Sequence, residues 1–277
     1  MQVTISNNIE IYQPTTEIIE WCKQNLVIDN PDYAKKVRMG FWLGNTPKHL
    51  HLYEIHGDTY VLPYGTLKQI TPMIQNALVT SEFKPYESID YGQPIPLYPY
   101  QEKAIEAVKN GYYGILQSPC GSGKTRCGLA LIKEYGRRAL WITHTGDLLR
   151  QSMSAAGEFY DKSLLGTITE GKVNIGKGIT FATVQTMCNL DLSQYKDMWD
   201  LIIVDECHRV SGSPTQVTMF AKVLNSLAAR HKFGLSATVH EAVLLARGSA
   251  PRLFHRGRKS FRWKRALRPK GCSSVHD

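Results

Sequence analysis

From Tyr100 to Thr238 short apolar runs alternate with stretches of helical period. The runs "GILQ", "ALWIT", "ITFAT", "LIIVD" and "FGLSA" are continuously apolar rather than alternating. Strands read this way when both faces of their sheet are covered. Between them "QEKAIEAVKNG", ending at Gly111, and "KTRCGLALIKEYG" repeat their apolar residues at helical spacing. Strands alternating with helices predict an α/β fold with a parallel sheet clothed on both sides.

Residues 1–84 follow another pattern and are expected to form a small α+β module. "EIIEWCKQNLVI" puts Ile18, Ile19, Cys22 and Leu26 on one helical stripe, with Thr15 or Thr16 as N-cap. "NPDYAKK" offers a second start, with Asn30 as cap and Pro31 at the first helical position. "HLHLYEIHGDTYVLPYG" reads as a hairpin turning at His56-Gly57-Asp58. Pro85, Pro94, Pro96 and Pro99 mark 85–99 as an interdomain linker. The motor-like region is then 100–238, followed by a tail at 239–277.

Composition adds little until it is localised. Apolar content of 43% and charged content of 21% suit a globular chain, and no run of eighteen apolar residues exists. "MQVTISNNIE" lacks the regions of a signal peptide, so the expected compartment is cytoplasmic. Cys22, Cys120, Cys127, Cys188, Cys207 and Cys272 form no C-x-x-C pair, which suggests reduced thiols rather than a metal site. The net charge is +9, but ten of 33 basic residues and two of 24 acidic ones lie at 239–277. The body before the tail is therefore close to neutral, and the total charge is poor support for a nucleic-acid partner.

Two stretches carry chemistry. In "ILQSPCGSGKT" a strand runs into a Gly-rich turn and then a helix. Gly121 and Gly123 let successive N–H groups of Cys120–Thr125 point at phosphate oxygens, Lys124 reaches the β- and γ-phosphates, and Thr125 is placed to ligate Mg²⁺. Ser118 stands where the general motif has glycine. In "LIIVDECH" an apolar strand ends on adjacent carboxylates. Neighbouring strand residues face opposite ways, so Asp205 can partner the metal and Glu206 can orient the attacking water. ATP with Mg²⁺ is the expected cofactor pair.

"SPCGSGKT", "DECH" and "SAT" (Ser236, Ala237, Thr238), in this order and spacing, resemble motifs I, II and III of superfamily 2 helicases, with the DEAD/DEAH-box group and its phage and mobile-element members nearest. The resemblance implies a RecA-like lobe. It places Gln101 of "LYPYQ" near the adenine, matches Thr145 and Gln151 of "THTGDLLRQ" to motif Ia, and matches Thr183, Gln185 and Thr186 of "FATVQTM" to motif Ib on the nucleic-acid backbone. His144 departs from a common proline. For Thr183 a purely structural capping role is the alternative. His208 is expected to relay nucleotide state to Ser236 and Thr238, with plain packing as the alternative. DNA is favoured over RNA as partner, without a membrane; partners in replication, recombination or restriction are not specified. Trp21, Phe41, Trp42 and Tyr53 are candidates either for base stacking or for the core.

Such helicases have two lobes, the second supplying arginines to the transferring phosphate. After Thr238 only 39 residues remain, rich in arginine and without isoleucine or tyrosine, and "VHEAVLL" departs from the family pattern. The expectation is a tail at 239–277 that is disordered or out of frame, with a native basic arm or an unrecognised extension as alternatives, and a chain that binds ATP weakly, hydrolyses it very slowly and does not unwind. Three readings stay open: a helicase-type ATPase lacking its second lobe, a non-catalytic nucleic-acid binder, and a phosphate-loop ATPase of other function.

Overall fold

The computed structural model describes residues 1–169, 171–210, 219–237 and 261–262. The expectations for Thr238 and, apart from Phe261–Arg262, for 239–277 lie outside the described residues. No helix among the described residues is long and apolar enough to cross a membrane.

The N-terminal module is built on β1 (Gln2–Ile5), β2 (Asn8–Tyr12), α1 (Thr16–Asn25), β3 (Val27–Asp29), α2 (Pro31–Met39), β4 (His49–His51), β5 (Glu54–His56), β6 (Thr59–Pro63), α3 (Leu67–Ile70) and β7 (Leu78–Ser81). Its main sheet has the order β5-β6-β2-β1-β7. Thr15 caps α1 by accepting from the Ile18 N–H, and Ile18, Cys22 and Leu26 enter the module's core. Asn30 caps α2 through the Asp32 N–H at 3.0 Å, with Pro31 next to it.

The hairpin around Gly57 forms between β5 and β6, but its upstream half differs from the sequence-based expectation. β4 leaves the hairpin and pairs antiparallel with β3. The cause is tertiary: the Leu52 N–H donates to Leu26 O at 2.7 Å, and Tyr53 turns inward to stack on Tyr60 at 5.7 Å.

The larger unit comprises α4 (Pro99–Val108), β8 (Tyr113–Gln117), α5 (Lys124–Tyr135), β9 (Ala139–Thr143), α6 (Gly146–Gly157), β10 (Leu165–Thr169), β11 (Lys172–Asn174), β12 (Ile179–Thr183), α7 (Val184–Cys188), β13 (Leu201–Asp205), α8 (Met219–Ser226), β14 (His231–Ser236) and β15 (Phe261–Arg262). The sheet order is β11-β10-β12-β9-β13-β14-β8-β15, parallel throughout except for β11. Both faces are covered, as the unbroken apolar runs require: Trp141 and Ile203 enter one core, Leu140, Ile142, Ile202 and Val204 the other. Each such fully buried side chain contributes roughly 1.5–3 kcal/mol. α5 lies so close to the sheet that a Cβ at Gly128 would fall 2.7 Å from the Trp141 ring. A mid-helix glycine, at a cost of about 1 kcal/mol relative to alanine, permits that approach.

Residues 82–98 have no regular secondary structure, yet they are not a loose tether, and Pro99 belongs to α4 rather than to the linker. The Ile89 N–H donates to Gly136 O at 2.8 Å, Tyr91 Oη to Arg137 O at 2.7 Å and Tyr86 Oη to Asp197 O at 2.9 Å. Phe83, Tyr91 and Ile95 are buried. The proline-rich stretch is a strap pinned across the larger unit. Nearby, Tyr64 Oη donates to Arg230 O at 3.0 Å, and fully buried Lys232 donates from Nζ to Asn7 Oδ1 at 2.8 Å. The module and the sheet are thus joined by direct hydrogen bonds as well as by the strap.

Candidate nucleotide and nucleic-acid site

The parallel register brings three strand ends to one level. Leu116 of β8 pairs with Leu235 of β14, and Leu235 with Asp205 of β13. The phosphate loop, the Ser236 segment and the acidic pair therefore leave the sheet at its carboxyl edge, where open α/β sheets place their ligands. The Ser118 N–H donates to Ser236 O at 3.0 Å, tying two of the three together.

The loop between β8 and α5 is shaped by its own residues. Gly121 and Gly123 have φ of +76° and +78°, the left-handed region that favours glycine. Ser122 Oγ donates to Pro119 O at 2.7 Å, and Ser118 Oγ bonds Ser122 Oγ. Lys124 Nζ reaches back to Pro119 O at 3.5 Å, while Cys120 is exposed on the loop and Thr125 half-buried at the start of α5. From outside, Gln101 Nε2 donates to Ser122 O at 3.0 Å and its Oε1 accepts from the Tyr98 N–H at 2.9 Å. Gln101 is buried, so the structure shows it bracing the phosphate loop from α4. Tyr100, which sequence reasoning passed over, adds its own bond to Ser122 O at 3.1 Å. Its only signal was adjacency to Gln101.

Gly123 meets both a conformational and a steric limit, because a Cβ there would sit 2.4 Å from Gln101 Nε2. Gly123→Ala is expected to lower stability by about 1–3 kcal/mol and to weaken nucleotide binding together with it. Urea unfolding and fluorescent-ATP titration of the same variant check both.

Asp205 closes β13 at 6% exposure. Burial pushes its carboxyl up to about 6, while Lys124 and a hydrogen bond from Ser152 pull the other way. Ser152 lies on the buried face of α6 and was also missed; a buried serine in a helix carries no signal of its target. Glu206 follows with φ of +51°, a left-handed turn uncommon for a non-glycine residue, and its N–H donates to Asp205 Oδ1 at 2.9 Å. That turn brings Glu206 Oε2 within 3.1 Å of His208 Nδ1. The same nitrogen lies 3.1 Å from Ser236 Oγ. The acidic pair, His208 and Ser236 form one connected group.

Asp205 and Thr125 offer a carboxylate and a hydroxyl, hard oxygen donors of the kind Mg²⁺ accepts beside phosphate oxygens. Lys124 is close enough for its charge to act on Asp205. The residues present fit the metal–triphosphate pair.

The remaining residues lie along the same edge. Thr143 pairs with Thr183 across β9 and β12, so the segments after both strands emerge side by side. Thr145 caps α6 through the Leu148 N–H at 3.4 Å and is exposed, as is Gln151 farther along that helix. Thr183 caps α7 through the Thr186 N–H at 3.3 Å and shares a 2.9 Å bond with the Thr186 hydroxyl. Its capping role is thus present in the structure. Gln185 projects from the first turn of α7 into solvent. The four candidate stacking aromatics separate: Tyr53 is in the core, Trp21 packs against it, and Phe41 and Trp42 are exposed.

Comparison with known proteins gives a consistent picture. The family described as "Type III restriction enzyme, res subunit" matches residues 94–241. A DNA 3'-5' helicase XPB of Kineococcus radiotolerans is 29% identical over 160 residues, which are 52% of this chain and 26% of that protein. The corresponding helicase of Mycobacterium tuberculosis is 25% identical over 155 residues, covering 50% of this chain and 26% of its own. The chain thus spans about a quarter of the length of these curated relatives. The crystal structure of the UvsW helicase from bacteriophage T4 superposes with a TM-score of 0.59 at 16% identity, covering 90% of this chain and 98% of that one. At that identity the likeness speaks for the fold.

Proposed function

The chain belongs to the family of type III restriction enzyme res subunits, with the RecA-like ATPase lobe of a superfamily 2 helicase, and on that footing we propose that this lobe is the Mg²⁺-dependent ATP-hydrolysing half of a DNA motor, weak or inactive without a second lobe. In this reading Lys124 and the N–H groups of Cys120–Thr125 hold the phosphates. Thr125 and Asp205 would hold the metal, which would supply charge neutralisation to the phosphates. Glu206 orients the attacking water and takes up its proton.

The observation that carries the reading is the His208 bridge. Nδ1 bears at most one hydrogen, and two oxygens stand at 3.1 Å from it, Glu206 Oε2 and Ser236 Oγ. A change in charge or position at Glu206 on hydrolysis shifts that hydrogen's preference toward or away from Ser236. Ser236 O in turn holds the phosphate loop through Ser118. Two alternative acceptors for one hydrogen are the element this reading assigns to coupling.

Thr145, Gln151, Thr183, Gln185 and Thr186 are proposed to hold the nucleic-acid backbone. Hydroxyl and amide groups grip phosphates without reading base edges, which suits sequence-independent movement. Domain roles follow: 1–84 as an accessory module, 85–98 as its connection, and 99–238 as the motor lobe. DNA is proposed over RNA because the two relatives described above are named as DNA helicases, against a putative ATP-dependent RNA helicase of Acanthamoeba polyphaga mimivirus that is 22% identical over 166 residues.

The test is ATP hydrolysis by the full chain alone and with single-stranded DNA, duplex DNA or RNA. DNA should stimulate hydrolysis more than RNA, and Lys124→Ala should remove the activity in every case. Hydrolysis that is indifferent to all three polymers would favour a phosphate-loop ATPase of other function.

A further inference from the structure

We propose that the arm running from α2 to β4 in the N-terminal module is a docking face for unpaired nucleic acid, with Trp42 and Phe41 as a stacking platform. It rests on the reading of the chain as a nucleic-acid motor and adds a second binding surface away from the sheet edge. Three observations carry it.

The arm displays what a folded chain normally hides. Trp42 is 88% exposed and Phe41 61%, with Val37 and Met39 beside them in sequence also more than half exposed. α2 contributes no residue to the core, so its apolar side chains do not serve the module's own packing. Four exposed apolar side chains within six residues of chain mark a segment that something covers.

The display is braced. Gly40 ends α2 in a left-handed conformation, its N–H donating to Lys36 O and Val37 O, and the Phe41 N–H also bonds Lys36 O at 2.9 Å. Lys36 Nζ donates to Thr46 Oγ1 at 2.7 Å. Asn30, itself 3% exposed, clamps the far end through Pro47 O at 2.8 Å, and its N–H bonds Lys48 O. A Cβ on Gly44 would lie 2.9 Å from the Trp42 ring, so the indole rests against the glycine backbone. Ordering such a loop in advance lowers the entropy lost when a ligand arrives.

Charge selects the occupant. Between Pro31 and His51 the chain carries Lys35, Lys36, Arg38 and Lys48 against one acid, Asp32. The rest of the body up to Thr238 has slightly more acids than bases. Lys35, Arg38 and Lys48 are exposed. Exposed aromatics in a basic segment match a polymer with exposed bases and a phosphate backbone, the combination used for single strands without sequence preference. A protein partner would meet a surface enriched in lysine, which interface cores generally lack.

The experiment is fluorescence-anisotropy titration of the full chain with a labelled oligothymidylate and, separately, a blunt duplex. Trp42→Ala should weaken single-strand binding about tenfold, Phe41→Ala by a comparable factor, and Trp42→Tyr should restore most of it. Lys35→Ala with Arg38→Ala should flatten the dependence of log affinity on log salt by about 0.7 for each phosphate no longer neutralised. Gln185→Ala, on the sheet edge, reports the motor surface independently. Binding that falls with Gln185→Ala but not with Trp42→Ala overturns the docking face and leaves the motor reading intact. Equal weakening on single strand and blunt duplex overturns stacking as well. If the unaltered chain binds neither oligonucleotide, both readings fall.

Discussion

Glu206→Gln is expected to slow single-turnover ATP hydrolysis by about 10²- to 10⁴-fold, the range for removing a positioned general base, while leaving ATP affinity near that of the unaltered chain. The substitution conserves shape and keeps one oxygen for the 3.1 Å approach to His208 Nδ1. It removes the negative charge that would accept a proton from water. Nucleotide affinity should persist because the phosphate loop is held by other groups, Ser122 through Gln101 and Tyr100, and Ser118 through Ser236. Rapid-quench measurement with radiolabelled ATP, beside an equilibrium titration, separates the two quantities. A variant that loses affinity and rate together would assign Glu206 to binding rather than to the chemical step. A variant that hydrolyses at the original rate would remove it from the mechanism altogether.

Between pH 7 and 9 the unaltered chain should grow more stable relative to Lys232→Met, with a slope that rises toward about 1.4 kcal/mol per pH unit. Lys232 is fully buried, and its Nζ meets three neutral oxygens: Asn7 Oδ1, Leu224 O at 3.1 Å and Leu227 O at 3.2 Å. Burial lowers its pKa from 10.5 to about 7. In this window the unfolded chain holds a proton that the folded chain has released, so raising the pH favours folding; below about 7 both forms are charged and the full penalty of burying the ammonium remains. Three buried thiols oppose the trend at higher pH. Cys22 and Cys127 are raised by burial from 9.0 to about 11 and Cys207 further still, so above pH 9 the unfolded chain loses their protons first and stability falls. The methionine variant keeps the thiols and lacks only the lysine, which isolates the difference. Urea midpoints at pH 7, 8 and 9 for both proteins measure it. Parallel lines would mean that Lys232 stays charged in the fold.

Much of the larger unit is legible in the chain. "ALWIT", "ITFAT" and "LIIVD" coincide with β9, β12 and β13 because strands buried on both faces are apolar at nearly every position. The caps of α1 and α2 are legible for a local reason: Thr15 and Asn30 bond N–H groups two or three residues away. Legibility fails where the deciding interaction is distant. β10 buries only alternate residues and includes Gly166, whose missing Cβ would lie 2.1 Å from Gly176 N, so no apolar run announces it. β4 reads as part of a hairpin and instead pairs with β3, and the proline-rich stretch, read as an interdomain linker, packs as a strap in a way that no local signal announces.

The candidate site divides in the same way. Gly121, Gly123, Lys124, Thr125 and the acidic pair are recognisable from the chain because each acts through backbone geometry or chemistry within its own short segment. Local sequence therefore determined which groups could touch phosphate and which parts of the chain would be strand or helix. The link from the acidic pair through His208 to Ser236 is already expected from the sequence; only the tertiary structure decided that Ser118 joins that group, that Gln101, Tyr100 and Ser152 support it, and that of four candidate aromatics Phe41 and Trp42 face solvent. Residues far apart in sequence meet because parallel strands align their carboxyl ends, and a linear pattern of apolar and polar positions holds no record of which strands become neighbours.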